Sequence, residues 1–318
     1  MEYVMELIDV TKRYNGIVVV NSFQLKMEKG HIYGLIGPNG SGKTTIMKMI
    51  AGLLRPDSGR IKIFGDTNLS MARKRCGFLM DVPFLDPDLT VIENMEYLRR
   101  LRGVAEQEYV TELLDKVGLP ELAYTTLSEF THTTKVKKLS LGMRQRLGIA
   151  MTLLAKPEIL ILDEPVNGMD PDGIYEIREL LKYLVKMEEI TILISSHLLK
   201  ELSELCTDYV FINKGEVIEQ ISAEELAKKS GKYLKLNTTD LSKTITILEE
   251  NLGISNYKVD QDGKLYLYEG FQNVERISKE ITDHNVLITE LMMGEEPLEE
   301  YYFRKVGRWK DERLLRSK

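Results

Sequence analysis

The chain has 318 residues, 43% hydrophobic and 29% charged, which is typical of a globular protein with one large or two modest domains. Its net charge of −6 argues against a general nucleic-acid-coating protein, because phosphate binding needs a basic surface. No stretch approaches the roughly 18 apolar residues of a membrane-spanning helix, and the acidic N-terminus lacks signal-peptide features, so we expect a cytoplasmic protein.

The first part of the chain predicts strands, then a loop and a helix. Residues 4–10 and 17–27 are predicted strands of an antiparallel patch, joined by a turn in KRYNG. The apolar run HIYGLIG is followed at once by a Gly-rich loop and by KTTIMKMIAGLL, which has helical periodicity. RPDSGRIKIFG predicts a turn and another strand, and from about 83 to 140 the pattern is mostly helical.

The second part of the chain changes character once. Between residues 140 and 222 helical and strand patterns alternate, which predicts an α/β fold with a largely parallel sheet covered on both faces. Beyond about residue 225 the order becomes β-α-β-β-α-β, a ferredoxin-like α+β arrangement, followed by a last helical stretch. We therefore predict a main domain at 1–222, with a helical subdomain at about 83–140, and a small C-terminal domain at 223–318.

The segment GPNGSGKT fits the phosphate-loop pattern G-x-x-x-x-G-K-[ST], with the required strand before it and helix after it. Its glycines let backbone N–H groups turn inward around phosphate oxygens, and the helix N-terminus adds its dipole. We expect Lys43 to reach the β- and γ-phosphates of ATP and the Thr44 hydroxyl to coordinate Mg²⁺. The predicted nucleotide-binding residues here are Gly37, Pro38, Asn39, Gly40, Ser41, Gly42, Lys43, Thr44 and Thr45.

The segment EILILDEP supplies two carboxylates at the end of an apolar strand. Asp163 is predicted to hold Mg²⁺, and Glu164 to orient or deprotonate the attacking water. Four scattered histidines show no metal-ligand spacing, and two distant cysteines indicate no disulfide framework. The two motifs together predict an enzyme that hydrolyses a nucleoside triphosphate.

Residues 139–151, LSLGMRQRLGIAM, precede LDEP by about 20 residues and resemble the L-S-G-G-Q signature of ATP-binding cassette (ABC) ATPases. NGMD resembles the D-loop of that family, His197 in SSHLL its switch histidine, and Tyr14 in KRYNG its adenine-stacking aromatic residue. The resemblance covers residues 1 to about 222 with every motif in order. It implies the P-loop NTPase fold of an ABC cassette.

The resemblance also implies a head-to-tail dimer, with a homodimer favoured because every catalytic group is present in one chain. Two ATP molecules are then each held between Lys43 of one subunit and Ser140 and Gly142 of the other, at a helix N-terminus. Asp170 is implied to couple the two sites, and His197 to contact the γ-phosphate.

The sequence departs from the family pattern in two places. Leu141 and Met143 replace Gly and Gln in the signature, which leaves the phosphate-facing residues intact. Asp81 stands where a Q-loop Gln normally touches Mg²⁺, and it is either a metal ligand or a turn acid before Pro83. In both departures the chain resembles the ATPases of bacitracin and antimicrobial-peptide exporters, a subgroup whose chains carry a C-terminal extension.

The resemblance implies that a separate transmembrane permease converts ATP hydrolysis into transport. The chain is then peripheral at the inner face of the cell membrane and drives export of a peptide, drug or lipid-like cargo. We place the permease-docking groove at residues 81–102, where Phe84, Leu89 and Met95 either line the groove or belong to the helical core. An importer ATPase and a translation- or DNA-associated ATPase are the alternatives. The single phosphate loop argues against a translation-associated ATPase, and the absence of a long heptad run argues against a DNA-associated one.

Overall fold

The computed structural model describes residues 3–80, 85–119, 127–260 and 262–306. The chain divides into two compact units, Met1–Ala223 and Glu224–Lys318. None of the helices within the described ranges is both long enough and apolar enough to span a membrane.

The first unit contains two sheets. Its strands are β1 (Tyr3–Tyr14), β2 (Ile17–Glu28), β3 (Ile32–Ile36), β4 (Ser58–Ile63), β5 (Cys76–Leu79), β6 (Ile159–Asp163), β7 (Thr191–Ser195), β8 (Asp208–Asn213) and β9 (Glu216–Ser222). Strands β2-β1-β4 form an antiparallel sheet. The larger sheet has the order β5-β6-β7-β3-β8-β9, and its strands pair in parallel except for β8 with β9. Every residue of β3, β6 and β7 is buried, as expected for central parallel strands covered on both faces.

Helices connect these strands. They are α1 (Lys43–Ala51), α2 (Leu69–Ala72), α3 (Val91–Arg102), α4 (Glu108–Lys116), α5 (Leu127–Thr133), α6 (Leu141–Leu153), α7 (Pro171–Glu188) and α8 (Leu199–Leu205). Helix α9 (Ala223–Lys229) follows β9 and begins at the last residue of the first unit. Helix α3 begins with a capping box, in which Thr90 and Glu93 each bind the other's backbone N–H. Helices α3, α4 and α5 follow β5 and correspond to the predicted helical subdomain.

The second unit contains a four-stranded antiparallel sheet of order β11-β12-β10-β13. Its strands are β10 (Lys232–Thr238), β11 (Tyr257–Val259), β12 (Leu265–Leu267) and β13 (Ile288–Glu295), and its helices are α10 (Leu241–Thr246), α11 (Val274–Asp283) and α12 (Leu298–Lys305). One face of the sheet is apolar: Leu234, Leu236, Leu265 and Leu267 are buried in a core that includes residues of α11.

The opposite sheet face of the second unit is aromatic and polar. The Tyr233 ring packs edge-on against the rings of Tyr266 and Tyr268, at centroid distances of 5.2 and 6.1 Å. The Tyr268 hydroxyl donates to Glu300 at 2.7 Å, and Lys258 binds the same carboxylate at 3.1 Å. The polar groups on this face therefore bind one another.

Both cysteines are buried thiols of the first unit. Burial raises the pKa of Cys76 to about 12, and burial also raises the pKa of Cys206. The Cys206 sulfur lies under β3, where a Cβ added to Gly34 would come within 2.8 Å of it. Both side chains therefore act as small apolar packing groups.

Candidate functional site

The loop that joins β3 to α1 depends on its glycines. Gly42 stands at the N-terminus of α1 with a φ of 104°, which L side chains rarely adopt. A Cβ at Gly37 would lie 2.5 Å from the Ile212 carbonyl oxygen. Glycine is therefore required at position 42 by the backbone conformation and at position 37 by close packing.

Lys43 is the first residue of α1, and its ammonium group lies over the loop. Its Nζ donates to the carbonyl oxygens of Gly37 at 2.7 Å and Pro38 at 3.3 Å. Burial lowers the pKa of Lys43, while the nearby charges of Glu164 and Asp163 oppose that shift. The cation is thus held at the loop by backbone oxygens and lies near two carboxylates.

The loop forms one wall of an open cavity of about 540 Å³, within the size range of small-molecule sites. Its lining residues are Val19, Asn39, Gly40, Ser41, Gly42, Lys43, Thr44, Thr45, Glu164, Asn167 and His197. The structure therefore brings most of the predicted loop residues together with Glu164 and His197 in one place.

Asp163 is the last residue of β6 and Glu164 follows it, beside the carboxyl end of the neighbouring strand β7. Asp163 is fully buried, whereas Glu164 is half-buried and has a φ of 50°, a left-handed conformation uncommon outside glycine. The Glu164 carboxylate lies 2.8 Å from Nδ1 of His197 and accepts the backbone N–H of His197 at 3.4 Å. The two side chains form a carboxylate–imidazole pair at the mouth of the cavity.

Two buried oxygens beside the loop have no hydrogen-bond partner among the described residues: Ser41 Oγ and Asp163 Oδ2. Such groups are costly in a folded protein unless a ligand or water satisfies them. No cluster of three or more His, Cys, Asp or Glu side chains suited to a metal occurs in the described part of the chain. Mg²⁺ does not need such a cluster, because it commonly takes one or two carboxylates together with phosphate oxygens and water. The oxygen donors Thr44 and Asp163 therefore fit Mg²⁺.

Tyr14 lies at the end of β1 and does not line the cavity. Its ring is 41% exposed, and the Lys12 ammonium lies 5.7 Å from the ring centroid. The lining residue from this hairpin is instead Val19 of β2, whose carbonyl oxygen would be 3.1 Å from a Cβ at Gly42. The sequence analysis did not identify Val19, because one valine among several β-branched residues of a predicted strand has no feature that marks it as part of a site.

Ser140 and Gly142 lie at the N-terminus of α6, outside the cavity of their own chain. The exposed Ser140 caps the helix by accepting the backbone N–H of Met143 at 3.1 Å. The Leu141 side chain lies against Gly168 of the NGMD segment, where a Cβ would come within 3.0 Å of it. A single chain thus presents Ser140 on its surface and does not bring it to its own phosphate loop.

The remaining predicted residues have different outcomes. Asp81 and Phe84 lie outside the described residues. Asp170 caps α7 by accepting the backbone N–H of Gly173 at 3.0 Å. Asn167 lines the cavity and was missed, although it belongs to the NGMD segment. Met95 is fully buried in the helical subdomain, so its assignment to a docking groove is wrong and its core interpretation holds.

Comparisons with known proteins agree with this geometry. Residues 20–167 match the family model described as ABC transporter. The chain is 36% identical over 312 residues to the bacitracin transport ATP-binding protein BcrA of Bacillus licheniformis, covering 96% of this chain and 98% of that protein. It is 37% identical over 310 residues to the BcrA of Enterococcus faecalis, covering 96% and 97% of the two chains.

A solved structure is also similar. It is a dimeric ATP-binding cassette in a post-hydrolysis state bound to ADP and Pi, with a TM-score of 0.59 and 25% identity. The match covers 69% of this chain and 98% of that one. It therefore includes most of the first unit's length and supports the assignment of a cassette fold.

Proposed function

Because the chain belongs to the ABC transporter family as an ATP-binding subunit, we propose that it hydrolyses ATP to drive export through a separate membrane permease. The observation that carries this proposal is the single cavity in which the phosphate loop, Glu164 and His197 meet. The fold is that of an ABC cassette, and ATP is the nucleotide that such cassettes bind.

The cargo that we propose is a peptide antibiotic or a molecule of similar character. Two relatives that align over nearly the whole chain are named for bacitracin transport. We propose that the cargo crosses the membrane through the permease partner. The proposed site of the chain is the inner face of the cell membrane, where it would be bound to that permease.

The roles of the site residues follow from their chemistry. The loop N–H groups and Lys43 bind the phosphates. The family resemblance assigns adenine stacking to Tyr14, which lies outside the cavity lining. Thr44 and Asp163 would hold Mg²⁺, with Asp81 as a further proposed ligand. When bound, Mg²⁺ would neutralise charge on the phosphate oxygens. Glu164 accepts a proton from the attacking water, and His197 orients that carboxylate and contacts the γ-phosphate.

A complete site requires two copies of the chain. Ser140 and Gly142 would contact the γ-phosphate held by a second copy, with the α6 dipole aiding that contact. The surface position of Ser140, outside its own cavity, supports this arrangement. We propose a homodimer, because one chain carries both halves of the composite site.

The domain organisation is also part of the proposal. We assign residues 1–222 to the nucleotide-binding domain, with the helical subdomain at about 83–140, and residues 223–318 to an accessory domain. The two compact units and their different sheets support this division. The β-α-β-β-α-β order and the antiparallel sheet order support a ferredoxin-like assignment for the second.

The permease-docking surface is proposed to lie on α3, within residues 81–102. Tyr97 and Leu101 are 65% and 70% exposed and lie one helical turn apart, whereas Met95 packs into the core. Exposed apolar side chains at this spacing are suited to contact with a membrane subunit.

The decisive experiment purifies the tagged chain from its native membranes in mild detergent and identifies bound proteins by mass spectrometry. We expect a polytopic membrane protein in near-equal amount. A Tyr97→Asp, Leu101→Asp variant should lose that partner while keeping ATP hydrolysis. Recovery only with ribosomal proteins or DNA would contradict the transport assignment and leave the ATPase assignment standing.

A separate measurement tests the ATPase assignment. The purified chain should bind ATP, and Lys43→Ala should weaken that affinity by about 10- to 100-fold, the value of one or two charge-assisted hydrogen bonds. Equal affinity in the variant and the parent would contradict the phosphate-loop assignment.

A further inference from the structure

Ser195 is a buried hydroxyl directly beside the two carboxylates of the proposed ATP site. It is the last residue of β7, and it pairs in parallel register with Asp163, the last residue of β6. Its side chain is completely buried, although it lies at the end of the sheet where the cavity opens. Ser195 follows three apolar residues, Ile192, Leu193 and Ile194, and a buried hydroxyl at this position needs a reason other than packing.

The Ser195 hydroxyl binds both neighbouring acidic residues at once. It donates to Oδ1 of Asp163 and accepts the backbone N–H of Glu164 at 3.2 Å. The Ser195 carbonyl oxygen accepts the same N–H at 3.1 Å. A hydroxyl has one donor and two acceptor positions, so this geometry uses its only proton on Asp163.

These contacts determine which atoms of the carboxylates are available. Because Oδ1 of Asp163 is occupied, the oxygen left without a partner in the described structure is Oδ2. The bond to Glu164 holds a backbone that has a left-handed φ of 50°, a conformation that costs free energy unless its surroundings hold it. The Ser195 hydroxyl therefore determines which oxygen of Asp163 is free, and together with the Ser195 carbonyl oxygen it holds the backbone of Glu164.

We propose that Ser195 is a positioning residue for the metal–nucleotide site: its hydroxyl orients Asp163 so that Oδ2 is presented to Mg²⁺, and it fixes the backbone of Glu164. This inference rests on the proposed ATPase function. Groups that orient metal ligands through hydrogen bonds commonly change metal affinity by about 10- to 100-fold when they are removed. A hydroxyl that only satisfied the core would change stability and leave metal affinity unchanged.

The test uses the full-length chain, the non-hydrolysable ATP analogue AMP-PNP, and Mn²⁺ as the probe ion. The loss of the free Mn²⁺ signal in electron paramagnetic resonance measures metal binding to the protein–nucleotide complex. We expect Ser195→Ala to bind Mn²⁺ about tenfold more weakly. Its affinity for AMP-PNP in EDTA should equal that of the parent, because the phosphate loop is unchanged.

Two further variants make the result independent of how well Ser195→Ala folds. Ser195→Thr and Ser195→Val have nearly the same shape and differ by one hydroxyl, so any cost of the added methyl group is common to both. We expect Thr to retain Mn²⁺ affinity close to that of the parent, and Val to lose it as Ala does.

A matched control lies at the other end of the same strand. Thr191 is fully buried, and its hydroxyl accepts the backbone N–H of Gly30 at 2.9 Å. Thr191→Val should lower thermal stability without changing Mn²⁺ affinity, which shows what loss of a structural hydroxyl does.

Two results would overturn the inference in distinguishable ways. Equal Mn²⁺ affinity in Ser195→Thr and Ser195→Val would assign Ser195 a purely structural role and leave the ATPase proposal intact. Failure of the parent chain to bind Mn²⁺ with AMP-PNP would reject the proposed site itself, and the inference with it.

Discussion

Among the described residues, buried polar groups lack hydrogen-bond partners at the cavity edge of the first unit but have them beside the aromatic sheet face of the second unit. At the cavity edge Ser41 Oγ and Asp163 Oδ2 are buried without partners among the described residues, and Glu164 has a strained backbone. On the second unit, Glu296 is nearly as buried, but Arg304 binds both of its oxygens at 2.8 and 2.6 Å.

This difference distinguishes a region whose buried polar groups can be satisfied by a ligand from a region whose buried polar groups are satisfied within the chain. Each buried polar group without a partner costs about 1–3 kcal/mol of folding free energy. Such a cost is tolerated where a ligand supplies the missing partners, which is the usual situation at functional sites. Among the described residues of the second unit, no buried side-chain nitrogen or oxygen lacks a partner, which indicates a structural role for that face.

The largest expected effect is on catalysis at the cavity edge. Glu164→Gln should lower kcat for ATP hydrolysis by about 10²- to 10⁴-fold, because the amide cannot accept a proton from water. ATP affinity should remain, since the phosphate loop is intact. Steady-state turnover and equilibrium binding of a fluorescent ATP analogue measure the two quantities.

A control for this variant lies on the same segment of chain. Glu158 stands just before β6, where it binds Arg75 with both oxygens at 2.5 and 2.7 Å, away from the cavity. Glu158→Gln should hydrolyse ATP at the parent rate. A normal rate in Glu164→Gln would show that another group is the base.

A second prediction concerns the core of the second unit. Leu267→Ala should lower the free energy of unfolding of that unit by about 2–5 kcal/mol, because the leucine is fully buried and its removal leaves a cavity. Denaturant unfolding followed by tyrosine fluorescence measures this loss. Folded molecules should still hydrolyse ATP at the parent rate.

The comparison for Leu267→Ala is Leu287→Ala. Leu287 is 68% exposed, so its removal should change stability by less than about 0.5 kcal/mol. Loss of ATP hydrolysis in folded Leu267→Ala would mean that the second unit takes part in catalysis and would break the contrast between the regions.

A third prediction addresses the paired carboxylate. Arg304→Ala should destabilise the second unit by about 2 kcal/mol, because among the described residues the buried Glu296 carboxylate would then keep only the backbone N–H of Gly231 at 3.3 Å. The double variant with Glu296→Ala should cost less than the sum of the two single changes. Additive losses in this cycle would show that the ion pair contributes nothing.

The last predicted change in stability has the opposite sign. Ser41→Ala removes a buried hydroxyl that has no partner in the described structure, so the nucleotide-free chain should be equally stable or up to about 1 kcal/mol more stable. Unfolding in EDTA without nucleotide measures this. A loss of more than about 1 kcal/mol would show that Ser41 is satisfied in solution and is not held for a ligand.

Much of the site was predictable because it is encoded locally. A Gly-rich loop between a buried strand and a helix identified Lys43 and Thr44, and an apolar strand ending in two acids identified Asp163 and Glu164. The catalytic candidates thus follow from short patterns whose chemistry and secondary structure coincide.

Contacts between distant strands were not predictable in the same way. Ser195 lies 32 residues beyond Asp163, and only the parallel register of β6 with β7 brings the two side chains together. Asn167 lies in the loop after β6, and Val19 lies in the β1–β2 hairpin. The sequence alone does not show that these two segments meet at the cavity. The burial of Met95 depends on which face of α3 meets the rest of the helical subdomain, and an apolar residue alone does not specify that face.

The two buried cysteines make the natural sequence convenient for spectroscopy. The thiolate is the form that reacts with maleimide reagents, and burial raises the pKa of both Cys76 and Cys206. Neither should be labelled in the folded chain. A single cysteine introduced at Met71 of α2, which is 61% exposed and does not line the cavity, would therefore carry a fluorophore or spin label without removal of the native thiols, and the distance between two labelled copies would report their association as nucleotide is added.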